Sequence, residues 1–193
     1  MSAASPGQGA QPADRGAQRA DRGARPLRIR AAGREDVPVL LEMFRELADY
    51  ERLLDQLRAD EERLERALFG DPPAASALIA ERGGEVVGYA VFFRTFSTFL
   101  AIEGVWLEDL FVRPTHRGSG VGRALLAAVA AHLRELGGER LEWSALDWNE
   151  PALGFYRRIG AQTMGEWVTH RLVGEELVRL AAEADDGAGA GRR

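Results

Sequence analysis

The chain has 193 residues, which is enough for one full domain with tails but short for two domains. Hydrophobic residues make up 46% and charged residues 28%, as in globular proteins, and the net charge of −5 argues against general nucleic-acid binding, which needs a basic surface. Cysteine and lysine are both absent, which excludes disulfides, a cysteine nucleophile, a Walker phosphate loop and a lysine Schiff base.

The two ends differ in composition from the middle of the chain. Residues 1–26 are rich in Ala, Gly, Arg, Gln and Pro, and we expect a disordered tail there. Residues 183–193, "EADDGAGAGRR", predict a second tail, which leaves residues 27–182 as the folded domain. No apolar run reaches the length of a membrane span, and the first tail lacks the apolar centre of a signal peptide. We therefore expect a cytoplasmic protein without a membrane partner.

The first part of the domain predicts three strands and two helices. "LRIRAA" is the first strand, and a helix opens after Gly33 and Asp36 because apolar residues recur from Val37 at helical spacing. Asp60 is placed to cap a second helix that ends at Gly70. "SALIAE" and "VVGYAVFFR" are strands, and the "RGG" between them predicts a hairpin turn.

The second part alternates strands and helices. "VWLEDLFV" predicts a strand, and a helix with apolar residues from Leu125 to Leu136 follows and stops at Gly137. "RLEWSAL" predicts another strand, after which Asn149 and Pro151 start a short helix. "EWVTHRLV" predicts a final strand. The order of elements indicates a mixed α/β fold.

The segment "RGSGVGR", Arg117 to Arg123, places glycines directly before the amphipathic helix. The first-turn N–H groups of a helix lack internal partners and carry partial positive charge, and glycine lets an anion approach them closely. A dinucleotide fingerprint requires its third glycine one residue later, where Arg123 stands. The remaining pattern, Arg-x-x-Gly-x-Gly after a strand, predicts an anion site, and a tight turn without a ligand is the alternative.

Two adjacent carboxylates, Glu108 and Asp109, lie inside the apolar strand "VWLEDLFV". Strand alternation predicts that their side chains point to opposite faces, which excludes a carboxylate dyad in regular geometry. A carboxylate in such a strand is costly to bury without a partner, so we expect an ion pair or an amine site there.

Several motifs together resemble one protein family. "WLEDLFVRPTHRGSGVGRALL", "DWNEPALGFYRRIGA", "GYAVFFRTFSTF" and "DYERLLDQ" are similar in order and spacing to the GNAT superfamily of acetyltransferases. Within it they resemble the diamine (spermidine/spermine-type) acetyltransferases and their bacterial relatives. The resemblance implies an α/β GNAT fold, with a mixed, mostly antiparallel central sheet, a splayed strand pair and flanking helices.

The resemblance also implies acetyl-coenzyme A as co-substrate, without a metal. The backbone of Leu110, Phe111 and Val112 would bind the pantetheine arm, and Asn149 would touch the cofactor from the other side. The pyrophosphate would be held by Arg117, Gly118, Ser119, Gly120, Val121, Gly122 and Arg123.

For catalysis, the resemblance implies that Tyr156 is the general acid. Because a carboxylate in the apolar strand favours an ion pair or an amine site, we expect Glu108 to be the base, acting through water. Asp109 would be structural or orient the substrate. The positions that would line the amine pocket are Tyr50, Glu51, Glu142, Trp143 and Ser144. Only Glu103 adds an acidic side chain in "TFSTFLAIEGVW", which puts long polyamines in doubt.

Three functions remain open from the sequence. The first is transfer of an acetyl group to a primary amine of a small cationic substrate, such as a diamine, a polyamine or an amino-acid-like amine. The second is the same chemistry on a peptide, an antibiotic or another amine, and the third is a non-catalytic module that binds acyl-coenzyme A. A homodimer is expected because "YAVFFRTFSTFLAI" is rich in aromatic residues.

Overall fold

The computed structural model describes residues 25–190, with side chains up to residue 184. The chain divides into two units, one up to Ser144 and one from Ala145 onwards. The tail predicted for residues 1–26 lies outside the described residues except for its last two positions. Within the described part, no helix is both long and apolar enough to cross a membrane.

The first unit is built on one five-stranded sheet with the strand order β1-β2-β3-β4-β5. The first four strands pair antiparallel with their sequence neighbours, whereas β5 pairs parallel to β4. This confirms the predicted mixed, mostly antiparallel sheet. The strands are β1 Leu27–Ala31, β2 Ser76–Arg82, β3 Glu85–Ser97, β4 Ile102–Val112 and β5 Arg140–Trp143.

Three helices cover the two faces of this sheet. They are α1 Val37–Tyr50, α2 Glu61–Phe69 and α3 Val121–Glu135. One face buries apolar residues of α1 and α2, and there the Phe44 ring lies 5.1 Å from that of Tyr89. On the other face, the ring of Phe92 meets His132 of α3 at 5.2 Å. The sheet therefore forms the middle layer of the first unit.

The predicted helix boundaries agree closely with the structure where local signals set them. Asp60 caps α2, because its side chain accepts a hydrogen bond from the Arg63 N–H at 2.8 Å. Gly70 follows the last residue of α2, and the left-handed Gly137 follows the end of α3. Gly83 and Gly84, both with positive φ, form the predicted hairpin turn between β2 and β3.

Strand β5 pairs with only the first half of β4. Their register runs from Gly104 opposite Arg140 to Leu107 opposite Trp143, where β5 ends. Strand β4 continues to Val112 and keeps its pairing with β3. Its segment Glu108–Val112 therefore has no β5 partner, and the splayed strand pair stays a prediction.

A β-bulge at Glu108 corrects the expectation that Glu108 and Asp109 point to opposite faces. Trp106 pairs with Phe93, and Asp109 pairs with Val91. Trp106 and Asp109 are three residues apart on β4, whereas Val91 and Phe93 are only two residues apart on β3. Glu108 is the extra residue, so Trp106 and Asp109 share one face of the sheet. Glu108 lies two residues from Trp106 and accepts a hydrogen bond from its indole. Both carboxylates therefore lie on the α1 face.

The second unit contains two helices and no strand within its described residues. They are α4 Glu150–Arg158 and α5 Gly174–Ala190. The prediction of a final strand in "EWVTHRLV" is wrong, because this segment has no strand pairing and leaves Trp167 and Val168 exposed. Alternating apolar residues make a strand only where a neighbouring edge accepts their hydrogen bonds. Helix α5 runs beyond residue 182, and the division into domain and tails stays a prediction.

Candidate active site

The central feature of the first unit is a carboxylate pair beside a buried phenol. Tyr89 of β3 is fully buried, and its hydroxyl donates to Asp109 Oδ2 at 3.3 Å. Glu108 is exposed, and its Oε2 accepts from the Trp106 indole N–H at 3.0 Å. The bulge thus presents one half-buried and one exposed carboxylate at the point where the β5 pairing of β4 ends.

The electrostatics of this face favour positive charge. Burial and the negative charge of Glu108 raise the pKa of Asp109 to about 6, and the Tyr89 hydrogen bond opposes that rise. Burial also raises the pKa of Glu51, whose charge acts on both Asp109 and Tyr89. The pKa of Tyr89 lies well above its ordinary value because of burial and then of Asp109. A cation placed among these groups would relieve their mutual repulsion.

The predicted pocket residues divide between two sides of the sheet. Tyr50 and Glu51 lie at the end of α1, and Glu142 pairs in register with Trp106 and shares its face. Glu142 also forms an ion pair with Arg140 at 2.8 Å. Trp143 pairs with Leu107 and so points to the α3 face by strand alternation, while Ser144 follows β5 and is exposed. The structure thus brings Tyr50, Glu51 and Glu142 to the side of the carboxylate pair, and Trp143 to the other side.

The glycine loop has the geometry expected of an anion cradle. Gly118 and Gly120 have φ of 73° and 87°, in the left-handed region, and Gly120 immediately precedes α3. A Cβ at either glycine would meet nothing within 4 Å, so the space beside the backbone is open. The first intrahelical bond runs from Ala124 N–H to the Gly120 carbonyl, and helix geometry leaves the N–H groups of Val121 to Arg123 without intrahelical acceptors. These residues fit a bound diphosphate.

Arg117 connects this loop with the predicted amine pocket. Its guanidinium lies over the Tyr50 ring at 4.6 Å and over the Phe111 ring at 5.7 Å. Its Nε donates to the Val112 carbonyl at 2.9 Å. In this arrangement Arg117 covers the end of β4, so a contact with a diphosphate would require its side chain to turn. Arg123 is exposed in the first turn of α3.

The end of β4 carries the backbone predicted to bind the pantetheine arm. Phe111 is buried in the core beside Tyr89, with ring centroids 5.9 Å apart, so only its main chain is available to a ligand. Leu110 and Val112 are half-buried, and both are paired with β3 on one edge. Neither residue pairs with β5, and the Val112 carbonyl accepts the Arg117 Nε–H.

Asn149 and Tyr156 lie in the second unit, on α4. Asn149 caps that helix by accepting a hydrogen bond from the Ala152 N–H at 3.4 Å. Tyr156 is half-buried, and its ring lies 5.4 Å from that of Phe155. The predicted helix start is confirmed, and the roles of Asn149 and Tyr156 stay predictions.

Two residues near these features were missed by the sequence analysis. Tyr89 carries the polar group that reaches Asp109, and its signal was a phenol within an otherwise apolar strand. Arg82, at the end of β2, is buried and binds Ser119 of the glycine loop through both Nη atoms. Its only sequence signal was an arginine before a hairpin turn. Among the described residues, no group of three or more His, Asp or Glu is arranged to hold a metal ion.

Comparisons with known proteins agree with this geometry. Residues 40–161 match the Acetyltransferase (GNAT) family. The chain is 36% identical over 166 residues to thialysine N-epsilon-acetyltransferase of Bos taurus, covering 80% of this chain and 97% of that one. It is 30% identical to L-ornithine N5-acetyltransferase of Arabidopsis thaliana, covering 78% and 86% of the two chains.

A solved structure has the same fold. An integron cassette protein from the mobile metagenome of V. cholerae superposes with a TM-score of 0.68 at 27% identity, covering 80% of this chain and 97% of that one. The family match spans the glycine loop and the carboxylate pair, and it reaches the predicted general acid in α4. The chain belongs to the GNAT family of acetyltransferases, and it is an N-acetyltransferase.

Proposed function

We propose that this protein transfers the acetyl group of acetyl-coenzyme A to a primary amine of a small cationic substrate, with both substrates bound at once. The observation that carries the proposal is the acidic face formed by Glu51, Glu108 and Asp109 on one side of the sheet. The named relatives act on thialysine and on ornithine, which are small amines with further charged groups. A diamine, a polyamine or an amino-acid-like amine fits the same chemistry.

The two carboxylates of the bulge suit different tasks. Glu108 is exposed and oriented by the Trp106 indole, so it can take a proton from an incoming ammonium, directly or through a water molecule. Asp109 is enclosed beside Tyr89, where its charge attracts the substrate cation and orients it. The amine must lose its proton before it attacks, because an ammonium has no free electron pair.

The cofactor side of the proposal rests on the glycine loop and the open edge of β4. Acetyl-coenzyme A, when bound, supplies the acetyl group as a thioester. The N–H groups from Gly118 to Arg123 would bind its diphosphate, and Asn149 would contribute a further contact. The edge of β4 from Leu110 to Val112, which lacks a β5 partner, would hold the pantetheine arm once Arg117 turns away from the Val112 carbonyl. The Tyr156 hydroxyl would supply the proton that the leaving sulfur requires.

The acidic groups favour a short amine over a long polyamine. Glu103, the remaining acidic residue of the β3–β4 hairpin and early β4, is bound by Arg94. Its charge is therefore neutralised and does not extend the acidic face. We expect substrates with two charged groups separated by a few bonds to be preferred.

The homodimer and the cytoplasmic location are also proposals. The aromatic residues of "YAVFFRTFSTFLAI" differ in exposure. Phe92 is buried, whereas Phe96 and Phe99 at the hairpin are 62% and 94% exposed. These exposed rings support association of two copies. Sedimentation at micromolar concentration tests the dimer, and a monomer would contradict it.

The function is tested by thiol release from acetyl-coenzyme A in the presence of an amine panel. The panel includes thialysine, ornithine, putrescine, spermidine, spermine, an aminoglycoside and a peptide with a free N-terminus. We expect the highest kcat/KM for thialysine, ornithine or a diamine. Turnover only with the peptide or the aminoglycoside would contradict the proposed substrate class, and coenzyme A binding without any turnover would identify a binding module.

A further inference from the structure

Arg82 is a buried arginine that donates hydrogen bonds to Ser119 of the glycine loop. It ends β2, has 6% of its surface exposed, and lies 37 positions from Ser119 in the chain. Its Nη1 donates to Ser119 Oγ at 2.7 Å, and its Nη2 donates to the Ser119 carbonyl at 3.2 Å. Because the guanidinium is planar, these two contacts fix the orientation of Ser119 within the loop.

Ser119 also bonds to a second part of the loop, so fixing Ser119 fixes the loop backbone around it. Its hydroxyl donates to the His116 carbonyl at 2.6 Å while it accepts from Arg82, so its one proton is already used. It lies between Gly118 and Gly120, the two residues with left-handed backbone. The side chain of Ser119 is thus engaged within the protein, and the loop offers a ligand its backbone N–H groups.

The charge of Arg82 is not balanced within the described part of the chain. Its hydrogen bonds go to a hydroxyl and a carbonyl, and no ion pair among the described residues includes it. Its Nε is buried and has no hydrogen-bond partner. A buried cation without a counter-charge is costly, and an anion bound on the loop would provide that counter-charge.

We propose that Arg82 is a positioning residue for the donor diphosphate, which fixes the glycine loop through Ser119 and supplies a buried positive charge beneath it. The inference rests on the proposed function, because it assumes that the loop binds coenzyme A. Arg82 itself does not need to touch the ligand. Its effect is therefore specific to donors that carry the diphosphate, and it acts on cofactor affinity rather than on the chemical step.

The test compares wild type with Arg82→Met, Arg82→Lys and the control Arg66→Met, which removes one exposed positive charge from α2. Coenzyme A affinity is measured by isothermal titration calorimetry, and kcat and KM are measured with acetyl-coenzyme A and with S-acetylpantetheine. Arg82→Met removes the charged hydrogen bonds that hold Ser119. Without them the loop is less well ordered for the diphosphate, which weakens coenzyme A binding by about 10- to 100-fold. We expect that loss in Arg82→Met for coenzyme A, a smaller loss in Arg82→Lys, and none in Arg66→Met.

The two donors separate positioning from general damage. The rise in KM for Arg82→Met should be confined to acetyl-coenzyme A, since S-acetylpantetheine has no diphosphate. Equal losses with both donors, or unchanged coenzyme A affinity, would overturn the inference. If Arg82→Met does not fold, Arg82→Lys and Ser119→Ala carry the test, and wild-type affinity in both would overturn it. Failure of the wild type to bind coenzyme A would instead reject the proposed function.

Discussion

The hydroxyl of Tyr89 donates a hydrogen bond to Asp109 across strands β3 and β4, at 3.3 Å. The pair exists because Glu108 is an extra residue in β4, which turns Asp109 towards the α1 face, where Tyr89 packs against Phe44. Burial there and the charge of Glu108 raise the pKa of Asp109 to about 6. The bulge thus sets both the position of the half-buried Asp109 carboxylate and the direction of its pKa shift.

Asp109→Asn is expected to stabilise the protein at neutral and alkaline pH. The pKa of Asp109 in the folded protein, about 6, lies above its ordinary value of 3.8, so the proton favours the folded state. That contribution is complete below pH 3.8 and is lost as pH rises through 6. The ionised side chain then costs up to about 3 kcal/mol of unfolding free energy, which asparagine avoids.

Urea unfolding from pH 4 to pH 8 measures this effect. The stability of Asp109→Asn relative to wild type should increase with pH and level off above pH 7. Asp49→Asn, which changes an exposed carboxylate on α1, serves as the control. A stability difference that is constant or falls with pH would contradict the assignment.

Gly120→Ala and Gly122→Ala are expected to change stability in opposite directions. Gly120 has φ of 87°, where an alanine costs roughly 1–2 kcal/mol, although its Cβ would have open space. Gly122 lies within α3, where alanine stabilises by up to about 1 kcal/mol, and its Cβ would meet Val112 at an ordinary 3.6 Å. Thermal melting should show a lower Tm for the first variant and an equal or higher Tm for the second. A higher Tm for Gly120→Ala than for Gly122→Ala would contradict the left-handed backbone at Gly120.

Local signals predicted the loop and helix ends, and long-range pairing decided what the sequence analysis missed. The glycines, Asp60 and Asn149 act on their own neighbours, so their positions could be read from the chain. The bulge at Glu108 depends on the register between β3 and β4, which alternation alone does not give. Arg82 and Ser119 are 37 positions apart, so their contact exists only in the folded chain. The final strand predicted for "EWVTHRLV" does not form because that segment has no pairing partner.

Arg113→Ala is expected to lower stability by about 1–3 kcal/mol, because two glutamates of α1 and one main-chain carbonyl lose a charged, largely buried donor. Arg113 follows β4, has a side chain only 19% exposed, and forms ion pairs with Glu42 at 2.7 Å and Glu46 at 3.0 Å of α1. It also donates to the Val86 carbonyl at 3.3 Å. Chemical unfolding measures the loss. The control is Arg66→Ala, because the Arg66 side chain is 68% exposed. Its free energy of unfolding should stay within about 0.5 kcal/mol of wild type. Similar losses of stability in both variants would refute the structural role of Arg113.

Tyr156→Phe is expected to reduce kcat by about 10²- to 10⁴-fold, the usual contribution of a general acid. The substitution keeps the ring that packs beside Phe155 and removes only the hydroxyl. Coenzyme A affinity, measured by calorimetry, should remain near the wild-type value. Unchanged kcat would remove Tyr156 from the proposed mechanism, and the proton for the leaving sulfur would have to come from elsewhere.

The most direct measurement of the central claim is a double-mutant cycle on the carboxylate pair. kcat/KM for the best amine of the panel is determined at pH 8 for wild type, Glu108→Gln, Asp109→Asn and the double variant, together with coenzyme A affinity. If the bulge builds the amine site, each single variant loses at least about tenfold in kcat/KM, a change of 1.4 kcal/mol. The double variant then loses less than the product of the two, because the groups act on one substrate. Wild-type kcat/KM in both single variants would contradict an amine site at Glu108 and Asp109.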